Sequence, residues 1–407
     1  MNILRILIPA VFIFLVDYYA FQAVKTVSGG WSQTARNVVY AVYWLVPVLA
    51  VITMAIYTHG YADHLNKSLY TFLRSFLTIA YVVKIPMVAL LLIDDARRLL
   101  IFGYERVGGE MSFNKGRSKF LATTGVLLAA LPFVTLIYGI VRNRYRYRVF
   151  RETVKLPGLP ASLRGLKIVQ ISDIHSGSFD RIEPVRRAVD LINEEEADLV
   201  FFTGDLVNSV AEEMRNFTDV FSRVKAKNGV FSVLGNHDYG DYYAWRSVED
   251  KAQNLQNLKD THRRMGWDLL LNENRILEVN QEKLAVIGVE NYSASPRFPK
   301  YGDLDKAMVG TEGIPLKLLL SHDPSHWESK VVGTDVDITF SGHTHGMQFG
   351  VEIPGWFKWS PVKYAYRQWA GLYNIGKQYL YVNRGLGFLG YPGRVGILPE
   401  ITVLELA

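Results

Sequence analysis

The chain has 407 residues, 49% of them apolar and 21% charged, which allows roughly two to three domain-sized units and excludes global disorder. It has no cysteine, so a disulfide framework, a thiolate metal site, a cysteine nucleophile and an iron–sulfur cluster are excluded; any metal must be held by His, Asp, Glu or Asn, which suit Mn, Fe, Zn or Mg. The net charge of +6 favours an anionic partner, either a phosphorylated substrate or a lipid surface.

Residues 38–57 and 120–141 are uncharged apolar runs of 20 and 22 residues, each long enough to cross a hydrocarbon core of about 30 Å. Residues 3–24, carrying Arg5 and Asp17, and residues 69–93, carrying Arg74 and Lys84, are weaker candidates. Intramembrane charges face a bundle interior or snorkel, so residues 1–150 read as an all-α transmembrane region of about four spans. The loop expected after the third span, 94–119, carries Arg97, Arg98, Arg106, Lys115, Arg117 and Lys119, and Arg142, Arg144, Arg146, Arg148 and Arg151 follow the last span. Both flanks of that span are basic, so the bias of Lys and Arg toward cytoplasmic loops fixes no orientation. Lys115-Gly-Arg-Ser-Lys-Phe-Leu-Ala, ahead of a small apolar segment, resembles a degenerate twin-arginine export signal kept as an anchor. Arg117 and Ser118 stand where two arginines would be. The expectation is an extracytoplasmic C-terminal domain.

From about residue 145 the composition changes, and residues 151–407 read as short β runs alternating with helical stretches. The β runs are 166–172, 198–203, 229–234, 284–289, 317–321 and 336–341, rich in Val, Ile, Leu and Phe as strands covered on both faces are. Between the first two, Val185, Val189 and Ile192 keep helical spacing. Most runs stop in a ligand-type cluster: Asp173-Ile-His175, Gly204-Asp205, Gly235-Asn-His-Asp238, Ser321-His-Asp-Pro324 and Gly342-His-Thr-His345. Ligand sites of α/β sheets lie at such strand ends. By patterning alone a parallel doubly wound sheet is one solution.

Five of the nine histidines, His175, His237, His322, His343 and His345, sit at these ends, while His59, His64, His262 and His326 fall in no pattern. In Asp173-x-His175 and His343-x-His345 the two side chains share one side of the pleat. Gly204, Gly235 and Gly342 let the backbone turn sharply beside an ion. The candidate N and O ligands oversupply one metal, and two ions sharing a carboxylate fit better. Such a pair, about 3.5 to 4 Å apart, turns bridging water into hydroxide near neutral pH and clamps an in-line displacement at phosphorus.

The series Asp173-x-His175, Gly204-Asp205, Gly235-Asn-His-Asp238, His322 and Gly342-His-x-His345 resembles the calcineurin-like metallophosphoesterase family, over essentially the whole chain after about residue 160. Within it the chain is similar to a membrane-linked bacterial branch, transmembrane proteins with a metallophosphoesterase domain, whose last motif runs Gly-His-Thr-His-Gly-Gly-Gln. Here Met347 takes the place of the second of those glycines, before Gln348. The resemblance implies an α/β fold, a two-sheet sandwich flanked by helices, with the metals at one end. It implies that Asp173, His175 and His345 hold a first divalent ion, that Asn236, His322 and His343 hold a second, and that Asp205 bridges them. It assigns His237 to proton donation toward phosphate or leaving group and Asp238 to orienting His237. Asp323 is expected either beside the ligands or as a turn former before Pro324.

Gly385-Leu-Gly387-Phe-Leu-Gly390 matches the letters of a dinucleotide loop, but Pro392 and Gly393 forbid the helix that must follow, so it reads as a tight turn. Residues 354–369 crowd Trp356, Phe357, Trp359, Tyr364, Tyr366 and Trp369 with Lys358, Lys363 and Arg367; this reads as an apolar cap on the sandwich or as a lip touching lipid. Arg384 and Arg394 are candidate phosphate contacts. The expected function is a membrane-anchored binuclear-metal phosphoesterase that hydrolyses a phosphodiester or pyrophosphate, in a lipid-linked or cell-envelope substrate, by metal-bridged hydroxide attack. The expected location is a bacterial inner or cell membrane, with multiple passes. A relative of the UDP-2,3-diacylglucosamine hydrolases with a cytoplasmic site, and a non-catalytic metal-binding scaffold, are the alternatives. No nucleic-acid partner is expected, since the domain lacks a dense basic stripe.

Overall fold

The computed structural model describes residues 4–58, 67–109, 115–353 and 355–407; His59, His64 and Pro354 lie outside the described residues. The chain divides into two compact units, Met1–Tyr138 and Gly139–Ala407.

The first unit is helical: α1 (Leu4–Ser28), α2 (Gln33–Thr58), α3 (Lys67–Val82), α4 (Lys84–Arg106) and α5 (Lys115–Val141, ending in the second unit). Among the described residues, four stretches are long and apolar enough to cross a membrane: Leu7–Ser28, Gln33–Ile56, Ser75–Arg106 and Gly116–Tyr145. The third joins α3 to α4. The break at Val83 has a local cause, because Pro86 has no N–H to give to the carbonyl of Val82. Two charges of the weaker spans turn inward: Asp17 and Lys84 are buried and form an ion pair. Tyr81 donates its hydroxyl to the same carboxylate at 2.8 Å, and Tyr43 donates to the Asp17 carbonyl at 2.8 Å.

The expectation of a loop over 94–119 is corrected in its first half, where α4 continues to Arg106. Asp94 is buried and accepts from Arg97 at 2.7 Å, Arg98 at 2.8 Å and Ser118 at 3.2 Å. Charges that read as a membrane boundary therefore neutralise one another on the helix.

The second unit holds fourteen strands among the described residues. One six-stranded sheet has the order β1 (Arg148–Val154), β14 (Glu400–Leu406), β2 (Lys167–Ile171), β3 (Leu199–Phe202), β4 (Val230–Ser232) and β5 (Asp268–Leu269). The other has the order β12 (Gly371–Ile375), β13 (Gln378–Val382), β9 (Ile338–Ser341), β8 (Lys317–Leu320), β7 (Glu282–Gly288) and β6 (Glu273–Val279). Strands β2 to β5 run parallel, as do β7, β8, β9 and β13. The unit is thus the two-sheet sandwich, not one doubly wound sheet, and β1 crosses the 150/151 boundary expected from composition.

Between the sheets, Ile168, Phe201 and Phe231 pack against Val286, Leu318 and Phe340. The outer face of the first sheet is covered by α6 (Ile182–Glu194), which buries Val185, Ala188, Val189 and Ile192, together with α7 (Thr218–Phe221) and α8 (Val248–Arg264). The outer face of the second carries α9 (Leu304–Met308). A separate antiparallel ribbon, β10 (Val351–Ile353) and β11 (Phe357–Trp359), follows the last ligand motif.

Candidate metal centre

Parallel strands carry their C-terminal ends to one edge of each sheet, and the loops beyond β2, β3, β4, β8 and β9 deliver Asp173, Asp205, Asn236, His322 and His343 to one place. Two groups form there among the described residues: Asp173, His175 and His345, and Asp205, His322 and His343; within each, the ligand atoms lie within 4.8 Å of one another. The backbone is held in the left-handed region at Asp173 (φ +49°), His175 (+46°), Asp205 (+61°), His343 (+72°) and His345 (+50°). Non-glycine residues adopt this conformation rarely, and strain of this kind gathers where side chains are aimed for a task.

Hydrogen bonds fix which nitrogen each imidazole presents. His322 Nδ1 donates to the Thr203 carbonyl at 2.7 Å, leaving Nε2 to face Asp205 Oδ2 at 3.1 Å. His175 Nδ1 meets Asn208 Oδ1 at 3.1 Å, and its Nε2 lies 3.5 Å from the same Asp205 oxygen. One carboxylate oxygen therefore faces a nitrogen of each group. His343 Nε2 is taken by Tyr366 Oη at 2.8 Å, so Nδ1 turns toward Asn236 Oδ1 at 2.8 Å and His322 Nε2 at 3.3 Å. The Asn236 amide is set by donation to Tyr242 Oη at 3.0 Å. His345 Nε2 lies 3.2 Å from Asp173 Oδ1.

Electrostatics follow from this crowding. Burial works against the charge on Asp173, His175, Asp205, His322 and His343. Even so, His322, His237 and His175 hold the Asp205 carboxyl well below its usual range. His345 and His322 do the same for Asp173 against the cost of its burial. Burial opposes an imidazolium at His322 too, but Asp205 and Asp173 lift it to about 10. Burial pushes His175 down to about 3, the neutral ligand form. Among the described residues, His175 Nε2 and His345 Nε2 are buried without a hydrogen-bond partner, a costly condition for polar atoms unless an ion takes them up. The residues present thus fit divalent cations.

His237 is brought to the same centre. Its backbone N–H donates to Asp205 Oδ1 at 2.8 Å, its Nδ1 donates to the Asn208 carbonyl at 2.8 Å, and its ring packs against His175 and Tyr242. The expectation that Asp238 orients this ring is corrected. The Asp238 carboxylate accepts instead from the backbone N–H groups of Asp205 (2.9 Å), Leu206 (2.8 Å), Val207 (3.2 Å) and Gly235 (2.9 Å), clamping two ligand loops together. The physical reason is reach: the Asn208 carbonyl already occupies the ring nitrogen that a carboxylate would take. Asp323 is buried beside the ligands, 3.5 Å from His343 Nε2, and accepts from Tyr366 at 3.2 Å.

Arg384 and Arg394 are not placed to meet a phosphate. Arg384 is buried on Glu400 at 2.6 Å and Glu352 at 2.5 Å, and Arg394 donates to the carbonyls of Arg384 at 2.8 Å and Gly385 at 3.0 Å. His262 and His326 are buried structural residues, bonded to Ser232 and Ser321. Asn208, Tyr242 and Tyr366 were not among the expected site residues. Asn208 stands three residues after Asp205, and Tyr366 lies within the aromatic stretch; neither carries a signal of its own.

A two-sheet sandwich with a cluster of His, Asp and Asn at its strand ends defines a metallophosphoesterase. The sequence profile described as "Calcineurin-like phosphoesterase" matches residues 166–347, and that described as "Probable Calcineurin-like phosphoesterase, transmembrane domain" matches residues 4–144. The chain belongs to the calcineurin-like metallophosphoesterase family. It is a multi-pass membrane protein and a hydrolase of phosphoester bonds, in a family that uses divalent metals. It is 30% identical over 283 residues to an uncharacterized metallophosphoesterase of Helicobacter pylori, covering 67% of this chain and 70% of that one. It is 28% identical to a "Transmembrane protein with metallophosphoesterase domain" of Danio rerio, covering 76% of this chain and 69% of that one. The "Phosphodiesterase YaeI" of Escherichia coli is 29% identical, with 59% of this chain and 82% of that one covered.

Proposed function

We propose that this protein cleaves a phosphodiester or pyrophosphate bond in a substrate held at or in the membrane. In this reading Asp173, His175 and His345 hold one divalent ion, Asn236, His322 and His343 hold a second, and Asp205 is shared. Mn, Fe, Zn and Mg all suit such donors. The observation that carries the reading is the placing of Asp205 Oδ2 between His322 Nε2 at 3.1 Å and His175 Nε2 at 3.5 Å. When bound, such a pair of ions supplies the nucleophilic water at neutral pH and neutralises charge on the phosphoryl oxygens.

The chain's own contribution to bond cleavage is His237. With Nδ1–H committed to Asn208, Nε2 is the ring nitrogen left to give a proton to the departing oxygen. A diester leaving group is a poor one unless protonated, and such assistance is worth about 10² to 10⁴-fold. The likeness to a protein named a phosphodiesterase and the four candidate spans support a diester near the bilayer.

The test is turnover of bis(4-nitrophenyl) phosphate and 4-nitrophenyl phosphate by detergent-purified protein with Mn²⁺, wild type beside His237→Ala. Diester cleavage that collapses in the variant is the expected result. A monoester preference, or a variant as fast as wild type, overturns the assignment. The catalytic unit is further placed outside the cytoplasm in this reading. Lys377 is exposed in the turn between β12 and β13, and the chain has no other thiol, so Lys377→Cys reports the side directly. Labelling by an impermeant maleimide on intact cells is expected; labelling only after lysis sets the unit in the cytoplasm.

A further inference from the structure

The ribbon β10–β11 is built inside out for a water-facing element. Its register sets Val351 opposite Trp359, Glu352 opposite Lys358 and Ile353 opposite Phe357. Side chains alternate between faces along a strand, so Val351, Ile353, Phe357 and Trp359 share one face and Glu352 and Lys358 the other. The charged face is bonded back to the protein: Glu352 accepts from the buried Arg384 at 2.5 Å, and Lys358, though exposed along its length, donates its ammonium to the Ala370 carbonyl. Most of the apolar face turns outward, with Val351 49%, Ile353 44% and Phe357 49% exposed, Trp356 at the turn 81% exposed, and Trp359 half-buried. Met347, Phe349 and Tyr364, close by in the chain, are exposed as well. A ribbon that pairs its charges inward and presents aliphatic and aromatic groups outward needs an apolar medium outside it.

Chain connectivity says which medium. The last candidate span runs to Tyr145. At its end, the Gly139 carbonyl accepts from Arg394 N at 3.2 Å, and Asn143 Nδ2 donates to the Arg394 carbonyl at 3.1 Å. The next residue, Val395, is bonded to the root of the ribbon. Val395 N donates to the Gln348 carbonyl at 2.8 Å and Gly350 N to the Val395 carbonyl at 2.9 Å, while Gln348 Nε2 donates to the Tyr391 carbonyl at 2.8 Å. One short segment, residues 391–396, thus ties the end of a membrane span to the base of the inverted ribbon.

We propose that the β10–β11 ribbon docks on the bilayer, its Trp356 turn and outward face entering the headgroup–acyl boundary of the leaflet from which the last span emerges. Trp and Phe prefer that boundary, and Lys363 and Arg367 on the following turn suit anionic headgroups. The ribbon leads directly from His345, so docking holds the mouth of the metal centre at the lipid surface whichever ester it cleaves. Docking is independent of the reaction proposed above.

The experiment uses the full chain, which has no native cysteine. Trp356→Cys, Ile353→Cys and, as reference, Lys377→Cys at the opposite end of β13 are each labelled with an environment-sensitive fluorophore. They are then reconstituted in vesicles of phosphatidylcholine and phosphatidylglycerol. Nitroxide lipids spin-labelled near the ester region are expected to quench positions 356 and 353 several-fold more than position 377, with blue-shifted emission at the first two. Water-like, unquenched emission at 356 and 353, or quenching equal to that at 377, overturns the proposal. Both outcomes are read without any turnover assay, so they stand apart from the test of the reaction.

Discussion

The Asp238 carboxylate accepts four backbone N–H groups, from Asp205, Leu206, Val207 and Gly235, while its neighbour His237 spends its ring on Asn208 and the centre. Adjacent residues therefore have separable tasks. Asp238→Ala strands buried donors at about 1–3 kcal/mol each, so it is expected to lower the unfolding midpoint by several degrees and to lose bound metal, measured by calorimetry and elemental analysis. His237→Ala is expected to keep the midpoint and the metal but lose about 10² to 10⁴-fold in turnover. Tyr366→Phe removes only the hydroxyl that holds His343 Nε2 and reaches Asp323. The loss of such a supporting partner lowers metal affinity about 10 to 100-fold, and a competition titration against a chelating dye reads it. The ligand histidines were legible because a strand end is a local event. Tyr366 was not, because its contact with His343 spans more than twenty positions and its only local signal was aromatic crowding shared with five neighbours.

At the scale of elements, the segment after β13 is the floor of the centre. Gly387 N donates to the Asp173 carbonyl at 2.8 Å, and a Cβ at Gly387 would stand 1.9 Å from the Ile174 carbonyl oxygen. At Gly390 the space is open but φ is +73°. Gly387→Ala must push backbone against backbone and is expected to displace Asp173, losing metal and stability together. Gly390→Ala carries only left-handed strain of about 1–2 kcal/mol and is expected to keep its metal; melting curves with and without chelator separate the two. The turn itself was legible from glycine and proline, its place under the metal centre was not, because that depends on a contact across the whole domain. The same holds for β14, which slips between β1 and β2 although it is the last strand in the chain. Strands β2, β3, β4, β7, β8 and β9 were readable from continuous apolar runs, whereas β1, β6 and β12 have half-exposed, mixed faces that give no such run.

For the molecule as a whole, hydropathy announced the spans and charge obscured them. Asp17 and Lys84 weakened the reading of two spans, yet in the bundle they are buried partners, with Tyr81 and Tyr43 completing the set. A buried pair stabilises little relative to an apolar pair of the same shape, because desolvation cancels the attraction, but removing one partner strands the other and costs about 3–5 kcal/mol. Asp17→Asn leaves the Lys84 ammonium without a counter-charge, and Lys84→Met leaves the Asp17 carboxylate with the Tyr81 hydroxyl but no counter-charge. Each single variant is expected to depress the yield of folded protein and its unfolding midpoint in detergent. The double variant, with both charges removed, is expected to recover most of both. Strict additivity of the two losses would mean that the charges do not interact. Recovery would show that the loss in each single variant is the cost of the stranded partner, and that apolar packing of the helix faces suffices once both charges are gone.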